Sequence, residues 1–288
     1  MSTPSKSSAT LLITCPDQKG LVASVSNFLF QHNANILQSD QHQDEEAGLF
    51  LMRVEWDLSE WDLDSSQFHK AFQVIADRFQ MQWRITYSDQ KPRVAVFVSQ
   101  QDHCLADLLY KKKMGELHCE IPIVVSNHTH AKDLTEFYGT PFHHISIDPE
   151  RKQEVEKIQI DLLQTHQIDL VVLARYMQIL TPAFVEAFQH KIINIHHSFL
   201  PAFIGAKPYH QAFARGVKLI GATSHYVTEG LDEGPIIHQD VIGISHRDQV
   251  ADLIQKGRDL EKIVLSRAVQ WHVENRVFIY GKKTVVFT

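Results

Sequence analysis

In "NIHHSFLPAF", Asn194 to Phe203, an asparagine and two histidines close an apolar run that Pro201 then breaks. Side chains alternate between the faces of a strand, so Asn194 and His196 share one side and Ile195 and His197 take the other. An amide and an imidazole side by side can both donate hydrogen bonds to one small carbonyl. A carboxylate would complete a hydrolytic set that needs no covalent nucleophile. "TEGLDEGPI" offers one in Asp232, between turn residues and just before another apolar run. It would hold the imidazole charged or take a proton from water. By spacing alone, the pair also fits a strand end with satisfied polar groups, and Asp232 fits a turn carboxylate. Adjacent histidines also suggest a metal, but on a strand they are expected to point apart, and no carboxylate lies at chelating spacing. No metal site is expected.

These residues need a scaffold. From Arg93 onward "RVAVFVS", "IPIVVSN", "FHHISI", "DLVVLA" and "KIINIH" are short apolar strands. Helical patterns separate most of them, such as Val155, Ile158, Leu162 and Leu163 behind an Asp148-Pro149 start. Strands alternating with helices predict a mostly parallel, Rossmann-like α/β sheet covered on both faces. Asn194 and His196 then sit at the carboxyl end of a parallel strand, where open α/β sheets bind ligands. "LIGATSHYVT", "GPIIHQDVIGI", a helix from about Asp248 to Asn275 and a terminal hairpin follow. His225 is a further candidate, whose alternation with Tyr226 does not assign it.

The chain before this begins with "TLLITC", a turn at "DQKG", and a helix with Leu21, Val22, Val25, Phe28 and Leu29 on one face. "HNAN" ends that helix. Two strands, "ILQSDQHQ" and "GLFLMRVEW", come next. A helix capped by Asp64 carries Phe68, Ala71, Phe72, Ile75 and Phe79, and the half-buried strand "MQWRITY" closes the unit. The order βαββαβ is ferredoxin-like. The expected layout is a flexible tail over 1–8, this domain over 9–88, a linker over 89–93 and the catalytic domain over 94–288.

Of 288 residues 44% are hydrophobic, a globular fraction, and the net charge of -6 gives no broad attraction for nucleic acid or an anionic membrane. The apolar runs are too short to cross a bilayer, and the polar N-terminus has no signal-peptide core. Cys15, Cys104 and Cys119 are scattered, which suits reduced thiols and a cytoplasmic location.

"NIHHSFLPAFIGAKPYHQAFARG" followed by "GATSHYVTEGLDEGPIIHQD" resembles the formyltransferase family that uses 10-formyltetrahydrofolate. The resemblance implies that Asn194, His196 and Asp232 are catalytic. "LARYMQILTP" resembles the family's folate-binding segment, which implies that backbone groups around Met177, Gln178, Ile179 and Leu180 grip the pterin ring. Those apolar residues would serve ordinary strand-to-helix packing equally well.

Within that family the acceptor differs. "SQQDHCLADLL", after the first strand of the sheet, has no glycine, so a backbone cradle for a substrate phosphate is not expected. Nor is the further C-terminal domain of the transferases that act on tRNA. Lys111–Lys113, the tight basic run, fits a helix C-terminus better than RNA.

"CPDQKGLVASVSNFLFQHNANI" resembles an ACT domain, a regulatory module that commonly binds amino acids between paired copies. It implies a homo-oligomer and an amino-acid effector near Asp17, Gly20, Asn35 and Ile36. Gly20 also suits the turn alone, and Asn35 the helix exit alone. An ACT unit ahead of this catalytic unit is the arrangement of the family's hydrolytic branch, which gives the formyl group to water. The implied reaction releases formate and tetrahydrofolate, with the folate as substrate and no metal or redox cofactor.

Overall fold

The computed structural model describes residues 7–202 and 208–288. Residues 1–6 of the expected tail and residues 203–207 of the quoted motif lie outside these. The chain divides into two compact units, one running up to Lys91 and the other spanning Pro92–Val286.

The first unit opens with β1 (Ser8–Pro16), which already includes the last residue of the expected tail. Gly20, at φ 95°, turns the chain into α1 (Leu21–Gln31), a left-handed conformation that costs glycine little. Leu21, Val25, Phe28 and Leu29 are buried, whereas Val22 is 38% exposed at the edge of the stripe rather than within it. Asn33, at φ 59°, ends the helix. β2 (Asn35–Asp44) and β3 (Leu49–Asp57) follow, then α2 (Ser65–Phe79) and β4 (Gln82–Tyr87). Asp64 accepts from the Gln67 backbone N–H and Gln67 Oε1 accepts from that of Asp64, each at 2.8 Å: a closed capping box. The sheet is antiparallel, in order β2-β3-β1-β4. Phe68, Phe72 and Trp56 are fully buried in its core, the two phenylalanine rings stacked 5.4 Å apart.

The second unit runs β5 (Arg93–Val98), α3 (His103–Met114), β6 (Glu120–Ser126), α4 (Lys132–Phe137), β7 (Phe142–His144), a 3-10 turn at Pro149–Arg151 and α5 (Lys152–Thr165). It continues with β8 (Leu170–Leu173), α6 (Pro182–Ala187), β9 (Ile192–His196), α7 (Pro208–Arg215), β10 (Leu219–Tyr226) and β11 (Ile236–Gly243). The long α8 (Val250–Val273) and the hairpin β12 (Val277–Tyr280) and β13 (Lys283–Val286) complete it. The seven-stranded sheet has order β11-β10-β9-β8-β5-β6-β7. β9, β8, β5, β6 and β7 are parallel; β10 and β11 are antiparallel to their neighbours. Val94, Val96 and Val98 join one apolar cluster with Leu105, Leu108, Val264 and Ala268 of α3 and α8. Ala95 and Phe97 join the other, with Leu163 of α5 and Phe184 of α6. Lys111–Lys113 lie in the last turn of α3, where cations favour the helix dipole.

One helix departs from its expected face. Ile158 of α5 is 58% exposed, while Glu156 and Gln159 are buried beside Leu163. Two polar side chains under a helix need partners, and theirs lie in the loop after β8.

Candidate active site

Strand register brings the first two groups together. β10 pairs antiparallel with β9 so that His225 stands opposite Asn194 and Thr223 opposite His196. The turn joining β10 to β11 carries Asp232 at φ 56°. It brings the Asp232 carboxylate against side chains of both strands: Oδ2 lies 3.1 Å from His196 Nδ1, and Oδ1 lies 3.5 Å from His225 Nε2. Gly234 makes that turn possible. A Cβ there would sit 1.7 Å from the Tyr226 carbonyl oxygen, so the chain can pass only without a side chain.

Hydrogen bonds fix the imidazoles. His225 Nδ1 lies 2.9 Å from the Tyr226 carbonyl, which requires the proton on Nδ1. Its Nε2 sits 3.3 Å from Asn194 Nδ2: the neutral ring accepts there, whereas the charged ring donates toward Asp232. His196 gives Nδ1–H to Asp232, and its buried Nε2 has no hydrogen-bond partner among the described residues. The His196 N–H, and after it His225, hold the Asp232 carboxyl well below the usual carboxylate range, against an opposing push from burial. The carboxylate is therefore ionised throughout the physiological range.

Asn194, His196 and Asp232 line one cavity of about 600 Å³ together with Met177, Gln178, Ile179 and Leu180. The loop that carries those four is tied down by polar contacts. The Met177 N–H donates to Ser99 Oγ at 3.1 Å, and the Thr181 N–H and hydroxyl donate to Glu156. Lys152 reaches the Ile179 carbonyl, and Gln159 donates to the Tyr176 hydroxyl. This is why α5 buries Glu156 and Gln159 in place of Ile158. Met177 and Ile179 themselves are 59% and 62% exposed, so their apolar surface faces open space rather than the protein core.

One expectation needs correction. His196 and His197 do not point apart: their rings lie 5.3 Å from each other and 23° from parallel, and both line the cavity. β9 ends at His196, so strand alternation no longer governs His197. Burial first, and then the Arg175 guanidinium, lower the His197 pKa to about 4, which keeps that ring neutral. In the first unit, Asp17 and Gly20 follow the end of β1, which pairs with the start of β3 at Leu49. Asn35 and Ile36 instead pair with Asp57 and Trp56 at the other end of β3. About 26 Å of strand, from Leu49 to Asp57 at about 3.3 Å per residue, separates the two pairs. The four residues do not converge within one chain.

Sequence patterning missed the polar end of the cavity. Arg175, Tyr209 and Glu261 line it, with His103 behind: Glu261 accepts from Tyr209 Oη at 2.6 Å and from His103 Nε2 at 2.8 Å. The signal was a charge on the apolar stripe of α8, four residues after Gly257, where a Cβ would lie 2.0 Å from Tyr209 Oη. His103, Cys104 and Glu261 have ligand atoms within 4.8 Å of one another. The guanidinium beside Glu261, and a thiol that burial keeps protonated, both work against a divalent cation there.

Comparison with known proteins agrees with both units. The "Formyl transferase" family matches residues 92–269, and the "ACT domain" family matches residues 9–57. A formyltetrahydrofolate deformylase from Synechocystis sp. is 54% identical, covering 97% of this chain and 98% of that protein. The crystal structure of a formyltetrahydrofolate deformylase from Pseudomonas syringae pv. tomato matches with TM-score 0.97 at 49% identity, covering 99% of this chain and 96% of that one. A glycinamide ribonucleotide transformylase from Symbiobacterium toebii matches with TM-score 0.65 at 30% identity, over 69% of this chain and 95% of its own.

Proposed function

The chain belongs to the formyltetrahydrofolate deformylase family, and on that footing we propose that it hydrolyses 10-formyltetrahydrofolate at the Asn194–His196–Asp232 cluster. The observation that carries the reading is the open, buried Nε2 of His196, whose other nitrogen is held by an ionised Asp232.

The formyl group lies with its oxygen toward His196 Nε2 and Asn194 Nδ2, and the pterin ring on the loop from Met177 to Leu180. Water attacks the formyl carbon; a C–O bond forms as the carbonyl electron pair moves onto oxygen, where Asn194 Nδ2–H and the Nε2–H of a doubly protonated His196, paired with Asp232, stabilise it. Asp232, held ionised by two histidines, is a weak base before attack. It takes the water proton late, once the forming C–O bond has made that proton acidic. Collapse then breaks the C–N10 bond. N10 leaves with a proton relayed from the cluster, and the products are tetrahydrofolate and formate. This reading requires no metal or redox cofactor, because every proton and electron pair is handled by the cluster, water and the substrate.

The experiment is formate release from 10-formyltetrahydrofolate by the pure protein, with water as the sole acceptor. Stoichiometric formate and tetrahydrofolate support hydrolysis. Turnover only after an amine acceptor is added would make the chain a transferase, and folate binding without turnover would make it a sensor.

For the ACT unit, we infer that any amino-acid effector site draws Asp17 and Gly20 from one copy and Asn35 and Ile36 from another, because one chain keeps them apart. Light scattering that shows only monomer, or failure of every small amino acid to shift activity or Tm, removes this reading. A cytoplasmic location is in keeping with Cys15, Cys104 and Cys119, all buried as free thiols.

A further inference from the structure

Arg175 occupies a position that a side chain enters at a cost. It follows β8 by two residues at φ 62°, in the left-handed region that L-residues enter with strain. The side chain is only 8% exposed and lines the cavity that holds His196. Its Nε and Nη1 are buried without hydrogen-bond partners among the described residues. Glu261, whose oxygens accept from Tyr209 and His103, lies 3.5 Å from Nε and balances the charge without a hydrogen bond to it. The result is a desolvated guanidinium, charge-balanced at Nε by Glu261 and without a hydrogen-bond partner at Nη1 among the described residues, so its end-on pair, Nη1 and Nη2, is the face left for a ligand.

From this geometry we infer that Arg175 forms a subsite for a small carboxylate at the polar end of the cavity, which, on the hydrolase reading above, receives the product formate. A guanidinium fork matches the two oxygens of a carboxylate, giving paired charge-assisted hydrogen bonds. The strained backbone and the open N–H groups are accounted for together: the position holds arginine because the fork is needed there.

The test uses the full-length protein without folate and carbon-13-labelled sodium formate, with binding read from formate line broadening, and sodium acetate and sodium chloride at matched ionic strength as comparators. Saturable formate binding tighter than chloride is expected. Arg175→Gly, which suits the left-handed backbone, weakens it about tenfold or more, the effect of losing a charge-assisted pair. Arg175→Lys, which keeps the charge and loses the fork, also weakens it. Formate no tighter than chloride on the wild type overturns the inference. So does unchanged formate affinity in either variant, and Arg175→Lys decides alone if Arg175→Gly fails to fold. Acetate binding as tightly as formate would overturn the assignment to formate. Turnover without formate binding removes this inference and leaves the hydrolase reading intact; formate binding without turnover does the reverse.

Discussion

His225 lies directly across the β9–β10 ladder from Asn194, with its Nε2 3.3 Å from the Asn194 amide nitrogen. Since Nδ1 is committed to the Tyr226 carbonyl, the neutral ring can only accept at Nε2, and this fixes which end of the amide faces His225. On the proposed reading, His225 positions Asn194. His225→Phe is expected to lower kcat several-fold or more with a smaller change in KM, because the amide becomes free to turn. Asn194→Ala, which removes an oxyanion donor outright, is expected to cost about a hundredfold or more in kcat. Equal kcat in wild type and His225→Phe would remove the positioning role.

Glu156 is buried under α5 and accepts both the backbone N–H and the hydroxyl of Thr181, which ends the loop running from Met177 to Leu180. Glu156→Ala is expected to raise KM for the folate more than it lowers kcat, together with a lower Tm, since two donors lose their acceptor. Steady-state kinetics of the folded variant provides the check. An unchanged KM would detach this loop from substrate binding.

The Gly257 and Tyr209 pair should couple strongly. A Cβ at 257 meets Tyr209 Oη at 2.0 Å and Cζ at 2.3 Å, so Gly257→Ala must expel the ring despite the roughly 1 kcal/mol helix-propensity gain. A net loss of about 1–3 kcal/mol is expected from urea unfolding. In a Tyr209→Ala background the same change should be near neutral or stabilising. Additive effects would show that the two residues do not share space.

His197 sets a pH dependence. Its folded pKa, near 4, lies below the unfolded value of about 6.5, so the unfolded chain binds more protons between these pH values. The stability from its neutral burial is fully present above about pH 6.5 and is lost as pH falls through 4, on the order of 2 kcal/mol. Chemical denaturation across that window should show a shallower fall in His197→Gln than in wild type. Parallel curves would contradict the assignment.

Much of this architecture is legible in residue patterns because the relevant physics is local. Asp64 and Gln67 close a capping box three residues apart, Asn33 and Gly20 take left-handed geometry at helix ends, and the period-two parity of Asn194 and His196 holds as far as β9 extends. What escaped depends on distant partners. Glu156 and Gln159 read as solvent-facing until the loop at Tyr176 and Thr181 packs beneath them. Glu261 shows in the sequence only as a charge on the apolar stripe of α8; its partners Tyr209, His103 and Arg175 come from distant parts of the chain. His197 was assigned to the wrong face because alternation was extended one residue past the end of β9. The expected effector residues share a motif but sit at opposite ends of a strand, a separation that only the sheet register reveals.

The most direct measurement of the central claim is the rate of formate release by purified Asp232→Asn and His196→Ala beside wild type, with circular dichroism on each. The cluster should lose at least about a hundredfold in kcat in both variants while the fold is retained. Turnover within a few-fold of wild type, in either folded variant, would mean that the hydrolysis takes place without this imidazole–carboxylate pair.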